Sequence, residues 1–375
     1  MDQQPGPNAA SDNPAGSPGG YASTGNPLIS ASRGFVDWLK SQQVSLAVST
    51  YQTGKLFLFG RNPNGQFSVF ERTFERAMGL AGDSQTIYMA ALFQIWRLEN
   101  VLQPNEATDG YDRSYVPQVG YTTGDLNIHD VALDSDGKPV FISSRFSCIA
   151  TVSDRYHFTP LWAPKFITKL AGEDRCHLNG LCMKAGKPKY VTACAETDIV
   201  DGWREHRKSG GVVIDVDTDE IITTGLSMPH SPRWYRDKLW LLDAGTGYFG
   251  HVDKHTGEFE RVAFCPGFAR GLTFAGNYAI VGISLPRHDP TFQGLQLQEN
   301  LADAKVSARC GLLIIDLGSG DIVQWMRMED PIRELYDVMA LPNVHRPRLV
   351  GFKSDEIRTI VWPDPEAVKK LGRAT

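Results

Sequence analysis

Short apolar runs that close on small residues or glycine recur along this chain. They read KLFLFG (55–60), TIYMAAL (86–92), KPVFISS (138–144), PKYVTACA (188–195), KLWLLDAG (238–245), NYAIVGIS (277–284) and RPRLVGF (346–352). Each is followed by a second run of the same kind: FSVFERT, QIWRLEN, CIATVS, GVVIDVD, YFGHVD, GLLIIDL and IRTIVW. Runs of this length, rich in β-branched and aromatic residues and bounded by Gly, Asn and Asp, predict strands rather than helices. Several units close on fixed offsets, as in Asp253-Lys-His-Thr-Gly257 and Asp316-Leu-Gly-Ser-Gly320, with Asp215-Val-Asp-Thr-Asp219 a looser copy. There the Asp side chain can hold backbone amides and the Gly supplies the positive φ of a tight hairpin.

The mean interval between units is about 49 residues, the period of propeller blades. An all-β, β-propeller fold is predicted over 29–363, with seven blades. Six is the alternative, because the first unit (44–73) lacks a clean copy of the segment described next. Helices are expected only at 31–43 and 364–372, the latter in a C-terminal tail (364–375). The insertions 100–126, 153–175, 196–210 and 285–308 should decorate the faces, where binding sites usually lie.

A second pattern precedes most of the apolar runs. His129 in HDVAL, His177 in HLNGL and His230 in HSPRW each stand four residues before a large apolar residue. Arg76 in RAMGL, Phe268 in FARGL and Asp337 in DVMAL occupy the same phase. This segment is expected to be the innermost strand of each blade, with its first residue near one mouth of the central channel. Three histidines focused there are a candidate site for one divalent transition metal (Zn, Fe, Cu, Ni or Mn), since neutral imidazole suits the first four and three ligands leave a position open. Asp337 could be a fourth ligand; Asp130 and Glu334 could orient an imidazole, and these three carboxylates are the catalytic candidates. Arg76, Asn179, Arg233 and Arg270 could hold an anionic substrate. The alternative is that each Arg pairs with an aspartate of the next blade and the histidines are structural.

Other motifs point less far. Cys176, His177 and Cys182 lack the two close pairs of a structural zinc site. A Cys176–His177 dyad is disfavoured because adjacent strand residues face opposite ways. TYQTGKL is not a phosphate loop, and no GxGxxG or GxSxG occurs. Arg204, His206, Arg207 and Lys208 form a basic patch that reads as a solvated loop. With Trp203, that loop would carry the contacts if the protein were a scaffold for a peptide, glycan or partner protein.

Composition narrows the classes. The chain has 375 residues and a net charge of −5, so no nucleic-acid face is expected. No apolar run approaches the length of a membrane span. Residues 1–28 are rich in Gly, Pro, Ser and Asn, lack a signal-peptide pattern, and are predicted to be a disordered tail. The six cysteines contain no CxxC pair and read as free buried thiols of a cytoplasmic protein.

The blocks TYQTGKL, FERAMGL, GYTTGDLNIHD, EDRCHLNGL, TDIVDGWREHRKSGG, GLSMPHSPRWY, CPGFARGL and RELYDV resemble an uncharacterised bacterial family, a conserved hypothetical domain of unknown function, over about 30–360. The resemblance implies a propeller-like fold and brings no activity or catalytic residues. At the level of architecture alone, the chain is similar to carotenoid-cleaving oxygenases and lactonase-like propellers, which hold a metal at the axis. Two readings therefore stand: a metal-dependent enzyme acting on a small, anionic substrate, or a non-catalytic propeller scaffold.

Overall fold

A computed structural model describes residues 28–287 and 289–372. The predicted tail therefore lies, except for Leu28, outside the described residues. Six antiparallel sheets of four principal strands are arranged around an axis. Blade 1 runs outward through Asp337–Pro342, Val44–Ser49, Lys55–Arg61 and Phe67–Thr73. Blade 2 comprises Leu80–Gly82, Thr86–Ala90, Gln94–Asn100 and Arg113–Thr122. Blade 3 comprises Ile128–Leu133, Pro139–Ser143, Cys148–Thr151 and Thr159–Trp162, and blade 4 Leu178–Lys184, Lys187–Ala193, Gly211–Asp215 and Ile221–Leu226. Blade 5 comprises Pro229–Tyr235, Lys238–Asp243, Tyr248–Val252 and Phe259–Phe264, and blade 6 Phe268–Ala275, Tyr278–Ser284, Gly311–Asp316 and Ile322–Met328.

The fold is thus a propeller of six blades, not seven. The C-terminal strand Asp337–Pro342 pairs with Val44–Ser49, with Ser49 opposite Asp337 and Val44 opposite Pro342, and closes the ring. The first unit lacked its inner segment because the other end of the chain supplies it. The seventh apolar run contributes only Pro347–Leu349, paired parallel to Arg113–Tyr115 on the outer edge of blade 2. The run after it is not a strand: Glu356–Thr359 is a helical turn.

The predicted N-terminal helix is Phe35–Ser41, which buries Phe35, Trp38 and Leu39 against side chains of blades 1 and 6. The segment Ile29–Ala31 just before it adds a fifth strand to blade 6. The Asp–Gly hairpins form as read. Asp253 Oδ1 accepts from the amides of His255 and Thr256, and Gly257 sits at φ +73°. Asp316 does the same for Gly318 and Ser319. All six cysteines are buried, and burial pushes the Cys148, Cys176, Cys182, Cys265 and Cys310 thiols up to about 12. Among the described residues no helix is long and apolar enough to cross a membrane.

The inner strands carry the feature that positions the site. Four of the six have a β-bulge within their first residues, at His129–Asp130, Asn179, Ser231–Pro232 and Arg270–Gly271. A bulge sets two residues against one and re-aims the side chains beside it. Consecutive polar residues can then both approach the axis.

Candidate functional site at the channel mouth

The three histidines of one repeat phase do meet. The rings of His129 and His177 lie 4.7 Å apart between centroids, at 81°, and His129 and His230 lie 6.2 Å apart. They come from blades 3, 4 and 5. Each is held by Nδ1. His230 Nδ1 donates to the Met228 carbonyl at 2.8 Å. His129 Nδ1 lies 3.1 Å from the Asn127 carbonyl and 2.7 Å from Ser144 Oγ. Both carbonyls belong to residues two positions upstream with φ near +50°, a left-handed conformation that Asn tolerates and that is costly at Met. His177 Nδ1 donates to the Asp174 carboxylate at 2.8 Å.

These partners decide the tautomers. A carboxylate and a carbonyl can only accept, so Nδ1 carries the proton in His177 and His230. The Ser144 hydroxyl donates its hydrogen to the Leu178 carbonyl at 2.5 Å, so it accepts from His129, which is also Nδ1-protonated. In a neutral ring, Nε2 is then the atom that keeps a lone pair. His230 spends its own on Arg270, whose Nη2 lies 3.1 Å away. No partner among the described residues takes Nε2 of His129 or His177. Burial, then the neighbouring His177 and Arg270, hold His129 well below the ordinary imidazole range. Burial and Arg270 do the same for His230. Both imidazoles are neutral at pH 7.

Around the rings stands a layer of aromatic and charged groups. Tyr336 lies 5.7 Å from His129 and stacks on Tyr51 at 5.4 Å. Arg270 lies over the Tyr336 ring at 4.4 Å, and Arg287 over Tyr51 at 4.8 Å. Glu334 binds Arg287 through both carboxylate oxygens, and Arg270 reaches it only at 3.5 Å. Arg270 is buried, and its Nε has no hydrogen-bond partner among the described residues. Arg76 stands at the rim, 3.6 Å from Asp125 and 5.1 Å from the Tyr51 ring.

Two predicted insertions complete the site. Trp203, from 196–210, stacks on His177 at 4.1 Å and 24°. Phe292, from 285–308, packs on Phe268 at 5.0 Å and beneath Arg287 at 5.2 Å. The insertions clasp each other: Arg204 donates to Thr291 Oγ1, and Arg207 to the carbonyls of Thr291, Pro290 and Gln293. Trp203 is thus buried in the site rather than displayed as a contact residue, and Arg204 and Arg207 are ties between loops.

Several candidates lie elsewhere. Asp130 and Arg233 form a two-pronged pair at 2.7 and 3.0 Å across the channel, and Arg233 stands 3.9 Å from Asp337. Asp130 also accepts the Leu181 amide and Asp337 the Leu80 amide, each in the next blade. Burial raises Asp337 to about 7, against the pull of Arg233. These three residues fasten the channel waist to one another and to neighbouring blades. Asn179 is likewise engaged within blade 4, accepting from Thr192 Oγ1 and donating to Cys194 Sγ. Of the three carboxylates named from the sequence, Glu334 is the one at the mouth. Asp174, Ser144, Tyr51, Arg287, Phe292 and Tyr336 were not singled out as site residues from the sequence, and Trp203 was named only as a contact of a scaffold loop. Asp174 was within reach there, three residues before His177.

Among the described residues, no group of three or more His, Cys, Asp or Glu side chains is arranged to hold a metal ion. His230 Nε2 faces the Arg270 guanidinium instead.

Residues 33–350 match the family described as a domain of unknown function, DUF4915. The chain belongs to that family. No curated protein matches it. Among solved structures, it is similar to a chain of a nidogen–laminin complex, with 13% identity and a TM-score of 0.52, over 80% of this chain and 99% of that one. A protein of unknown function from Bacteroides caccae is 11% identical with a TM-score of 0.47, over 80% of this chain and 98% of that one. A streptogramin B lyase is 13% identical with a TM-score of 0.37, over 62% and 70%. At such identities the nidogen–laminin likeness speaks for the propeller fold alone.

Proposed function

We propose that the channel mouth of this DUF4915 protein binds and transforms a small anionic molecule, with Arg270 and Arg287 as the anchor and His177 as general base. The pairing around Glu334 carries this reading. One carboxylate serves two guanidinium groups, between neutral imidazoles, and the buried Arg270 keeps an N–H without an acceptor. Buried charge without a partner is costly, and an oxyanion would supply both the charge and the acceptor. Asp174 fixes the His177 tautomer and would stabilise the imidazolium formed when Nε2 takes a proton. The test is thermal unfolding with succinate and with inorganic phosphate. Either should raise the Tm of the wild type and leave Arg287→Ala unmoved; no anion-dependent rise in the wild type would sink the reading.

One observation favours a metal-assisted version. All three histidines are pinned at Nδ1 by an oxygen acceptor, as metal-ligating histidines are. Two Nε2 atoms would serve at once, and His230 would have to give up Arg270. Plasma mass spectrometry of untagged protein tests it: near one equivalent of Zn, Fe, Cu, Ni or Mn, lost in His177→Ala, would support it, and full retention in that variant would overturn it.

A further inference from the structure

We infer that the molecule recognised at this mouth is a small hydroxy acid, its carboxylate on Arg270 and Arg287 and its hydroxyl donating to His129 Nε2. The inference rests on the anion-binding reading above and goes on to the substrate class. His129 is locked as an acceptor. Its Nδ1 hydrogen is spent on Asn127 and Ser144, and Ser144 cannot reverse the bond because its own hydrogen is committed to Leu178. The remaining ring nitrogen can only receive a hydrogen bond. Arg270 and Arg287 can only donate. Tyr336 is the shared neighbour of acceptor and donors, 5.7 Å from His129 and 4.4 Å from the Arg270 guanidinium.

A ligand that satisfies both must therefore carry an oxyanion and, close by, a group that donates. An ammonium would also donate, but it would bring a third positive charge beside two guanidiniums that already share one carboxylate. A hydroxyl donates without charge. Trp203 stacked on His177 and Phe292 beside Arg287 bring rings of two insertions against the groups that would meet the ligand, which favours a small molecule over a polymer. A site built to bond a hydroxyl discriminates strongly against the analogue lacking it, because its polar atom is then left buried and unpaired.

The experiment is calorimetric titration of full-length protein at pH 7.5 with three matched pairs: lactate and propionate, malate and succinate, citrate and tricarballylate. In at least one pair the hydroxy acid should bind about tenfold or more tightly than its deoxy partner. In His129→Phe that preference should fall below about twofold while the deoxy acid keeps its affinity. Equal binding within every pair, or a preference that survives in His129→Phe, overturns the inference and leaves the anion reading standing. Binding of none of the six overturns both. Should His129→Phe not fold, long-range 1H–15N spectra of the wild type decide instead. The unprotonated His129 Nε2 resonance should move on adding the preferred hydroxy acid and not its partner, and equal movement with both would refute it.

Discussion

The mouth and the waist of the channel are built from the same residue types and do opposite things. At the waist, Asp130, Arg233 and Asp337 bind or face one another and take the Leu80 and Leu181 amides. At the mouth, His129, His177 and Arg270 each keep an atom unspent. The two levels are one residue apart: His129 precedes Asp130 and Tyr336 precedes Asp337. The bulge at His129–Asp130 lets both neighbours approach the axis at different depths. A polar residue on an inner strand is therefore neither a ligand contact nor a fastener by type. What decides is whether a partner in another blade already takes its last donor or acceptor.

The sharpest way to break this comparison is to remove one partner from each level. Arg233→Ala leaves two buried carboxylates without their cation and should cost about 3–5 kcal/mol. Arg287→Ala leaves the buried Glu334 to the nearby Arg270 and should cost less, about 1.5–3 kcal/mol. Urea unfolding of both measures the gap, and equal losses would mean the levels are not distinct. Trp203→Ala empties a buried aromatic site and should cost about 3 kcal/mol, but unlike Arg233→Ala it should also weaken whatever anion binds, since His177 loses the ring stacked on it.

Acid should separate the levels by sign. The unfolded chain protonates histidine near 6.5, whereas folded His129 and His230 resist it. Stability from these groups is therefore lost as pH falls below 6.5, at about 1.4 kcal/mol per unit for each proton. Asp337 acts the other way. Its folded value of about 7 exceeds its ordinary 3.8, so its contribution rises as pH falls through 7. Well below pH 6.5 two histidines oppose one carboxyl, so the sum for these groups is a loss of stability as pH falls. Replacing both His129 and His230 by Phe should reverse the sign of this contribution, and an unchanged slope in denaturation series would contradict it. The smallest effect belongs to the rim: Arg76→Ala, losing a 3.6 Å pair with a solvent-exposed Asp125, should change stability by less than about 0.5 kcal/mol.

The strand runs alone miscounted the blades because they treat both ends of the chain as units. The inner segments count correctly: Arg76, His129, His177, His230, Phe268 and Asp337 mark six, and the last completes the blade begun at Val44. The convergence of the three histidines was legible because a repeat phase survives rotation about an axis. The fate of Asn179 and Arg233 was not, because bulges shift the facing of the residues around them by one. Trp203, Arg287 and Phe292 were beyond any phase argument, since they arrive on insertions that follow no repeat.

Alternation, turn chemistry and period were local properties, and by themselves they determined a β-propeller with histidines gathered at one mouth. Which of those histidines keeps a lone pair, which arginine keeps an N–H, and which aspartates become fasteners were decided only when six blades closed. Each of those outcomes depends on a hydrogen-bond partner supplied by a segment distant in sequence: Arg270 for His230, Leu178 for Ser144, Asp130 for Arg233.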